Sequence, residues 1–341
     1  MILKFNPNLF SSEDRIILSK VSKIIMEIKE ERFIWDQENF DDLFLSDNEK
    51  DFFKLPFSES WLSKIDKEDL LEKIEEICQK SAYVTSTHKK YLTTINVGIE
   101  NGETHPTLVY DILMKPSKII VENATNDWKF IKSISHKYDK SKPRKEIYKL
   151  VRKSIDNQWL LPEQAGGKGQ IISRIKDLEN NAYMGILKYK VATLFDSDRN
   201  DNNSISHEQK LIIEFIKNKK VNSCDVIHED TDIIVWHMLY KRELENYVPK
   251  DLLMQHENIS TSLEKIQCMS QDEYDFTKFE DMLKKEVDVK NVFPELFLTQ
   301  WTKDKLEQRC AHHKVNIELP NGTLEQVSEM EQILLKIAKI I

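Results

Sequence analysis

The stretch Val191–Glu208 reads VATLFDSDRNDNNSISHE. An apolar run ends at Phe195 and gives way to Asp196, Ser197 and Asp198, and then to a polar loop. The run has the length and composition of a buried strand. Two acids one residue apart at the end of a strand repel each other and resist burial. A bound divalent cation is the usual compensation. The obvious rival is a calcium loop of the EF-hand kind. Asp196, Asp198 and Asn200 fit its first ligand positions, but Asp201 stands where the turn needs glycine, and His207 stands where a bidentate Glu is needed. The segment before the loop is also β-like where that motif has a helix. A metal-free Asx-rich surface turn is the second rival.

Working outward, short apolar runs alternate with helical patterns from Ser117 onward. SKIIVE reads as a strand ending at Glu122, and TNDWKFIKSISHK as a helix capped by Thr125 or Asn126. KEIYKLVRKSI is another helix, and Gly166-Gly167-Lys168-Gly169 is a tight loop before IISRIKDLE. KVATLF is a strand, HEQKLIIEFIKN a helix, SCDVIHE a strand, and TDIIVWHMLY a further strand running into KRELENYVP. Strands alternating with helices predict a mostly parallel sheet flanked by helices, an α/β fold. Such sheets place their sites at the C-terminal ends of strands, where Glu122 and Asp196 both fall. The Gly-rich loop lacks P-loop spacing, so nucleotide hydrolysis by that route is not expected.

The flanking regions differ. Residues 1–116 read as an α+β unit: a capped helix after Ser11-Ser12-Glu13-Asp14, a second from Asp66, and two strands, YLTTINVGIE and HPTLVYDILM, around Asn101-Gly102. Residues 251–341 read as helical. Their last segment carries Leu324, Val327, Met330, Ile333, Leu334, Ile337 and Ile341 on one face of a single helix. Three regions are expected: 1–116, 117–250 and 251–341.

Composition bounds the class. The chain has 341 residues, 40% hydrophobic and 32% charged, with a net charge of −8 and a mean hydropathy of −0.52. No run approaches the ~18 apolar residues of a membrane span, and the first residues lack a signal-peptide pattern. A cytoplasmic location is expected. Cys78, Cys224, Cys268 and Cys310 form no CxxC pair, and Cys310-Ala311-His312-His313 has no second ligand cluster at zinc spacing. The acidic average hides a basic stretch. Lys129, Lys132, Lys137, Lys140, Lys142, Arg144, Lys145, Lys149, Arg152 and Lys153 stand against only Asp139 and Glu146, an excess that attracts phosphates.

Glu122, Lys168, the Asp196/Asp198 pair and KRELENY at Lys241–Tyr247 stand in that order. Over roughly residues 117 to 250 this order resembles the Toprim domain, in the branch of the overcoming-lysogenization-defect nucleases and related bacterial defence proteins. The resemblance implies a metal-dependent nuclease acting on DNA or RNA, including tRNA. Glu122, Asp196 and Asp198 would bind Mg²⁺ or Mn²⁺, and Glu245, with Asp127, would help hold a second ion about 4 Å away. Lys168 or Lys241 would add positive charge near the transition state. The basic helices from Lys129 to Lys153 would hold the nucleic-acid backbone without reading bases. The family's first motif has Gly after the Glu and an acid four residues on. Here Asn123 follows Glu122 and Asp127 lies five residues on, so either the turn carries one extra residue or Asn126 takes the acid's place, and the role of Asp127 is open between ligand and helix cap. The resemblance further implies an anti-phage effector working with an ATPase on a separate chain, with residues 1–116 or the C-terminal helices as docking surface, and it leaves a homo-oligomer open. Two alternatives remain: a catalytically silent Toprim-fold adaptor or regulator, and a topoisomerase- or primase-type enzyme, for which no tyrosine lies in a recognisable setting.

Overall fold

A computed structural model describes residues 1–44, 55–57, 64–87, 89–142, 144–223, 226–299, 302–318 and 322–341. The fold is mixed α/β, with two parallel sheets flanked by helices. The chain divides into one unit of Met1–Pro116 with Ala338–Ile341 and a second of Ser117–Ile337. The residues after 250 therefore do not stand as a separate body. No helix among the described residues is long and apolar enough to cross a membrane.

In the first unit, β1 (Ile2–Phe5) is the middle strand between β2 (Ile34–Trp35) and β3 (Thr94–Val97), and both pairings are parallel. Asp14 caps the helix Arg15–Lys29 by accepting from the N–H of Ile16 at 2.7 Å. That helix buries Ile17, Leu18, Val21, Ile24, Ile25 and Ile28, the three-and-four spacing of a core-facing stripe. The expected second strand, HPTLVYDILM, is instead the helix Pro106–Met114. His105 caps it, Pro106 occupies its first turn, and Val109, Ile112 and Leu113 share its buried face. Proline at the first helical position is preorganised for a helix, and this outweighs the β-branched residues that suggested a strand.

In the second unit the sheet runs β5-β4-β6-β7, all parallel. Its strands are β4 (Ser117–Val121), β5 (Leu160–Gln164), β6 (Val191–Phe195) and β7 (Val235–Met238). β6 is buried throughout, which a strand covered on both faces requires. β5 reads poorly as a strand because of Pro162, yet it lies at the sheet edge, where a missing N–H is tolerated. The described residues of SCDVIHE form no strand, and Cys224 and Asp225 lie outside the described residues.

The chain leaves β4 for β5 on one side and then crosses back to β6 on the other. The direction of winding thus reverses between β4 and β6. Open parallel sheets bind ligands at that switch point, and Glu122 and Asp196 are the residues that follow these two strands.

The C-terminal stretch is not all helical. β8 (Val315–Glu318) and β9 (Leu324–Val327) pair antiparallel, and the last helix begins only at Glu329. Ser328 and Glu331 cap each other's backbone, at 3.4 and 3.2 Å. This Ser-x-x-Glu box starts the helix after Val327, so Leu324 and Val327 are not on its face.

Candidate metal centre

All four strands of the second sheet deliver side chains to one edge. Glu122 follows β4, Asp196 and Asp198 follow β6, and the loop after β5 turns through Gly166 and Gly167, both at positive φ, to present Lys168. After β7 come Lys241–Tyr247, which end in a short 3₁₀ turn, Leu244–Tyr247.

The Asp196–Asn200 loop is stitched to that last segment. The Leu244 N–H donates to Asp196 Oδ1 (3.2 Å), the Asp198 N–H to the Arg242 carbonyl (3.0 Å), and Ser197 Oγ to the Lys241 carbonyl (2.7 Å). Arg242 Nη1 returns to the carbonyls of Asp198 (3.3 Å) and Arg199 (3.0 Å) and to Asn200 Oδ1 (2.7 Å). Asp198 adopts a left-handed backbone, φ 51°, which Asp tolerates better than most residues. Gln209 Nε2 fixes the pair by donating to the Asp196 carbonyl (3.1 Å) and to Asp198 Oδ2 (2.9 Å).

The carboxylates act on one another. Burial pushes Glu122 up to about 7, with Lys168 opposing and Asp127 adding to the rise. Asp196 is held well above the ordinary carboxylate range by burial and then by Glu122, Glu245, Asp127 and Glu243. Glu245 is pushed to about 7 by burial, with Lys290 opposing and Glu243 reinforcing, and burial takes Asp127 to about 6. With Asp198 there are six acids, and among the described residues three cations pair with them: Lys168 with Asp198; Lys290, 3.8 Å from Glu245; and Arg242, 3.5 Å from Glu243.

Two oxygens make the shortage concrete. Glu122 Oε1 and Glu243 Oε2 are shut off from solvent and have no hydrogen-bond partner among the described residues. A buried carboxylate oxygen without a partner is costly. A hard divalent cation, which takes oxygen ligands, satisfies such oxygens directly. The residue types present suit Mg²⁺ or Mn²⁺, while among the described residues no three of these carboxylates bring ligand atoms within 4.8 Å of one another.

Of the residues expected from sequence, Glu122, Asp127, Asp196, Asp198, Glu245 and Lys168 come together. Asp127 accepts the Asn123 N–H (2.9 Å), closing the turn after Glu122, and its charge raises the pKa of Glu122 and Asp196. Asn123 itself caps the following helix, Asn126–Tyr138, accepting from Thr125 (3.0 Å) and Asn126 (3.2 Å), whereas Thr125 makes no cap bond. Asp127 thus stays in the cluster.

Lys241 does not join it. Its side chain is fully buried and its Nζ pairs with Asp275 (2.6 Å). Of the two lysines considered, only Lys168 faces the acids. Glu243 and Lys290 went unrecognised in the sequence. Glu243 had a signal, since it stands two residues before Glu245, the spacing of Asp196 and Asp198. Lys290 had none, because it arrives from the helix Val289–Thr299 far along the chain.

The basic stretch is corrected twice. Arg144 is buried between Glu331 (3.0 Å), Glu325 and Tyr148 (3.0 Å), so it cannot reach a phosphate. Lys129 pairs with Glu295, Lys149 with Glu146 (3.1 Å) and Arg152 with Asp139, while Lys153 lies over Trp159 and Lys132 over Trp128. Position also matters. The 13-residue helix Asn126–Tyr138 starts beside Glu122 and is about 20 Å long. Its far end meets Asp156 through His136 (3.6 Å), close to Trp159, whose carbonyl accepts from Ser117 at the start of β4 (2.7 Å). Lys137 and Lys140 therefore sit at the opposite end of the sheet from the acids, with Lys142 close by in sequence and Lys145 opening the next helix.

If this surface grips a backbone, Lys140→Ala/Lys142→Ala lowers the salt slope for a long duplex by about 2. Filter binding across a salt series checks this.

Among the described residues, the ligand atoms that do lie within 4.8 Å of one another are those of Asp275, His312 and His313. Asp275 already holds Lys241 and Arg309, and two fixed cations oppose a third. Cys310 caps the helix Lys303–Arg309 and is buried. No family model, curated protein or solved structure matches the chain.

Proposed function

We propose that the chain is a divalent-metal-dependent nuclease that hydrolyses phosphodiester bonds. The observation that carries this reading is the convergence of Glu122, Asp127, Asp196, Glu243 and Glu245 at the switch point of the sheet, with two of their oxygens unpartnered. Glu122, Asp196, Glu243 and Glu245 would hold the metal, with Asp198 beside them. When bound, the metal supplies Lewis acidity and a water acidic enough to attack phosphorus. Gln209 and the Leu244 N–H orient the Asp196/Asp198 pair. Lys168 and Lys290 place positive charge where a phosphate would gain negative charge.

The Toprim resemblance extends this to DNA or RNA as substrate and to an anti-phage effector working with a separate ATPase chain. The test is cleavage of plasmid, linear duplex, single-stranded DNA and total tRNA with Mg²⁺, with Mn²⁺ and with EDTA. Cutting that needs metal and disappears in Glu122→Gln supports the reading and names the substrate. If no substrate is cut and cellular function survives Glu122→Gln, the silent adaptor replaces it.

A further inference from the structure

The segment that carries Glu243 and Glu245 is braced from below by two carboxylates that the proposed chemistry does not use. Asp275 and Glu329 are each 0% exposed. Asp275 lies in the helix Gln271–Phe276. Its side chain accepts from Lys241 Nζ (2.6 Å), Gln271 Nε2 (3.0 Å) and Arg309, and it meets His312 Nε2 at 2.6 Å. Its carbonyl accepts the Arg242 N–H (3.0 Å), and Arg309 also donates to the Asn246 carbonyl (2.7 Å). Glu329 opens the helix Glu329–Ala338. It accepts the Tyr240 N–H (2.8 Å) and the Tyr247 hydroxyl, and it pairs with His237 Nε2 at 2.9 Å.

Each carboxylate therefore grips both ends of the same short stretch. Glu329 holds Tyr240 and Tyr247. The Asp275 carboxylate holds Lys241 and, through Arg309, Asn246, while its main-chain carbonyl holds Arg242. Between these anchors the Glu243 N–H donates to Asn246 Oδ1 (2.9 Å), and Asn246 Nδ2 donates to the carbonyls of Tyr274 (2.8 Å) and Thr277 (2.9 Å).

Stability alone is a poor reason for this arrangement. A buried ion pair is often no better for stability than apolar residues of the same volume, and its best-attested use is to fix one arrangement. A lone 3₁₀ turn of four residues does not hold two repelling acids in register.

We propose that Asp275 and Glu329 are positioning residues. They lock Lys241–Tyr247 so that Glu243 and Glu245 present their oxygens to a cation that neither of the two touches. This rests on the metal-dependent reading above. Outer partners of metal ligands typically govern affinity by 10–100-fold.

The test is Mn²⁺ binding by the full chain, read from the free-ion paramagnetic resonance signal and by calorimetry, with thermal unfolding in EDTA alongside. Asp275→Asn and Glu329→Gln are expected to weaken Mn²⁺ binding by about 10–100-fold. In a Glu243→Gln/Glu245→Gln background, Glu329→Gln is expected to add nothing, because its path to the metal has been removed. In a Glu122→Gln background its effect is expected to persist. Tyr247→Phe, which takes one hydroxyl from Glu329 and the acceptor of the Lys241 N–H (3.2 Å) but leaves every buried charge in place, gives a milder version, and it decides the question if the charge variants do not fold.

Wild-type protein that binds Mn²⁺ alongside variants that bind it equally well overturns the inference alone. The inference also falls if Glu329→Gln costs the same affinity with or without Glu243 and Glu245, since its role is then only structural. Wild-type protein that binds neither Mn²⁺ nor Mg²⁺ overturns the proposed function and this inference together.

Discussion

Asp196→Asn is expected to end metal-dependent cleavage while making the metal-free protein more stable at pH 8. The loss should be about 10²–10³-fold, the scale on which one charge-stabilising group acts in a hydrolytic site. The gain has a separate cause. Asp196 is surrounded by Glu122, Glu245, Asp127 and Glu243, and with burial these push its carboxyl well above the ordinary range. An amide keeps the oxygen that accepts the Leu244 N–H and removes the charge the neighbours oppose. Relief of strain imposed by function usually yields about 0.5–2 kcal/mol. In a unit of this size that is roughly 1–8 °C in melting temperature.

Asp196 with a raised folded-state pKa binds its proton more tightly folded than unfolded, so its contribution to stability is present at low pH and lost as pH rises. The advantage of Asp196→Asn must therefore be small at pH 5 and grow toward pH 8. Thermal unfolding in EDTA at both values checks this. A variant less stable than wild type at pH 8 would show that Asp196 is a structural acid.

The two halves of the site were unequally legible in the sequence. β4 and β6 are short apolar runs ending in acids, and a strand end is where a parallel sheet puts its chemistry, so Glu122, Asp196 and Asp198 could be found by pattern. Lys168 could be listed but not chosen over Lys241, because both are lysines near acids in sequence. The choice depends on burial: Lys241 points inward to Asp275, a residue 34 positions away. Arg144 misleads for the same reason, because its partners Glu325 and Glu331 lie in the last sixth of the chain. Charge counting sees a basic run and cannot see which cations have already been neutralised. Pro106 and the Ser328/Glu331 box were legible, and they were outweighed by apolar content in one place and by periodicity in the other. Lys290 and the braces Asp275 and Glu329 are set by tertiary contact alone and left no local trace.

The effect with the largest range is the pH dependence of the proposed metal binding. Glu122 and Glu245 are pushed to about 7 in the metal-free protein, so below that value both must lose a proton before they can ligate. With two such groups, affinity for Mn²⁺ should fall by roughly 10²–10³-fold between pH 7.5 and 5.5, whereas ordinary carboxylates near 4.3 would give almost no change. Calorimetry at pH 6 in two buffers of different ionisation enthalpy should register at least two protons released per chain, with Asp196 adding to those of Glu122 and Glu245.

Stability follows with opposite signs in the two states. Without metal, carboxyls raised above their unfolded values stabilise the fold below about pH 4.3 and lose that contribution as pH climbs through about 7. With metal at a hundredfold excess over Kd the fold gains about 2.7 kcal/mol, or roughly 5–11 °C. At a fixed metal concentration this gain appears only as pH rises and affinity returns. Melting temperature against pH should therefore slope down in EDTA and up in Mn²⁺, the curves separating above about pH 6. Parallel curves would mean that the cluster releases no protons to a metal and that its raised carboxyls answer to burial alone.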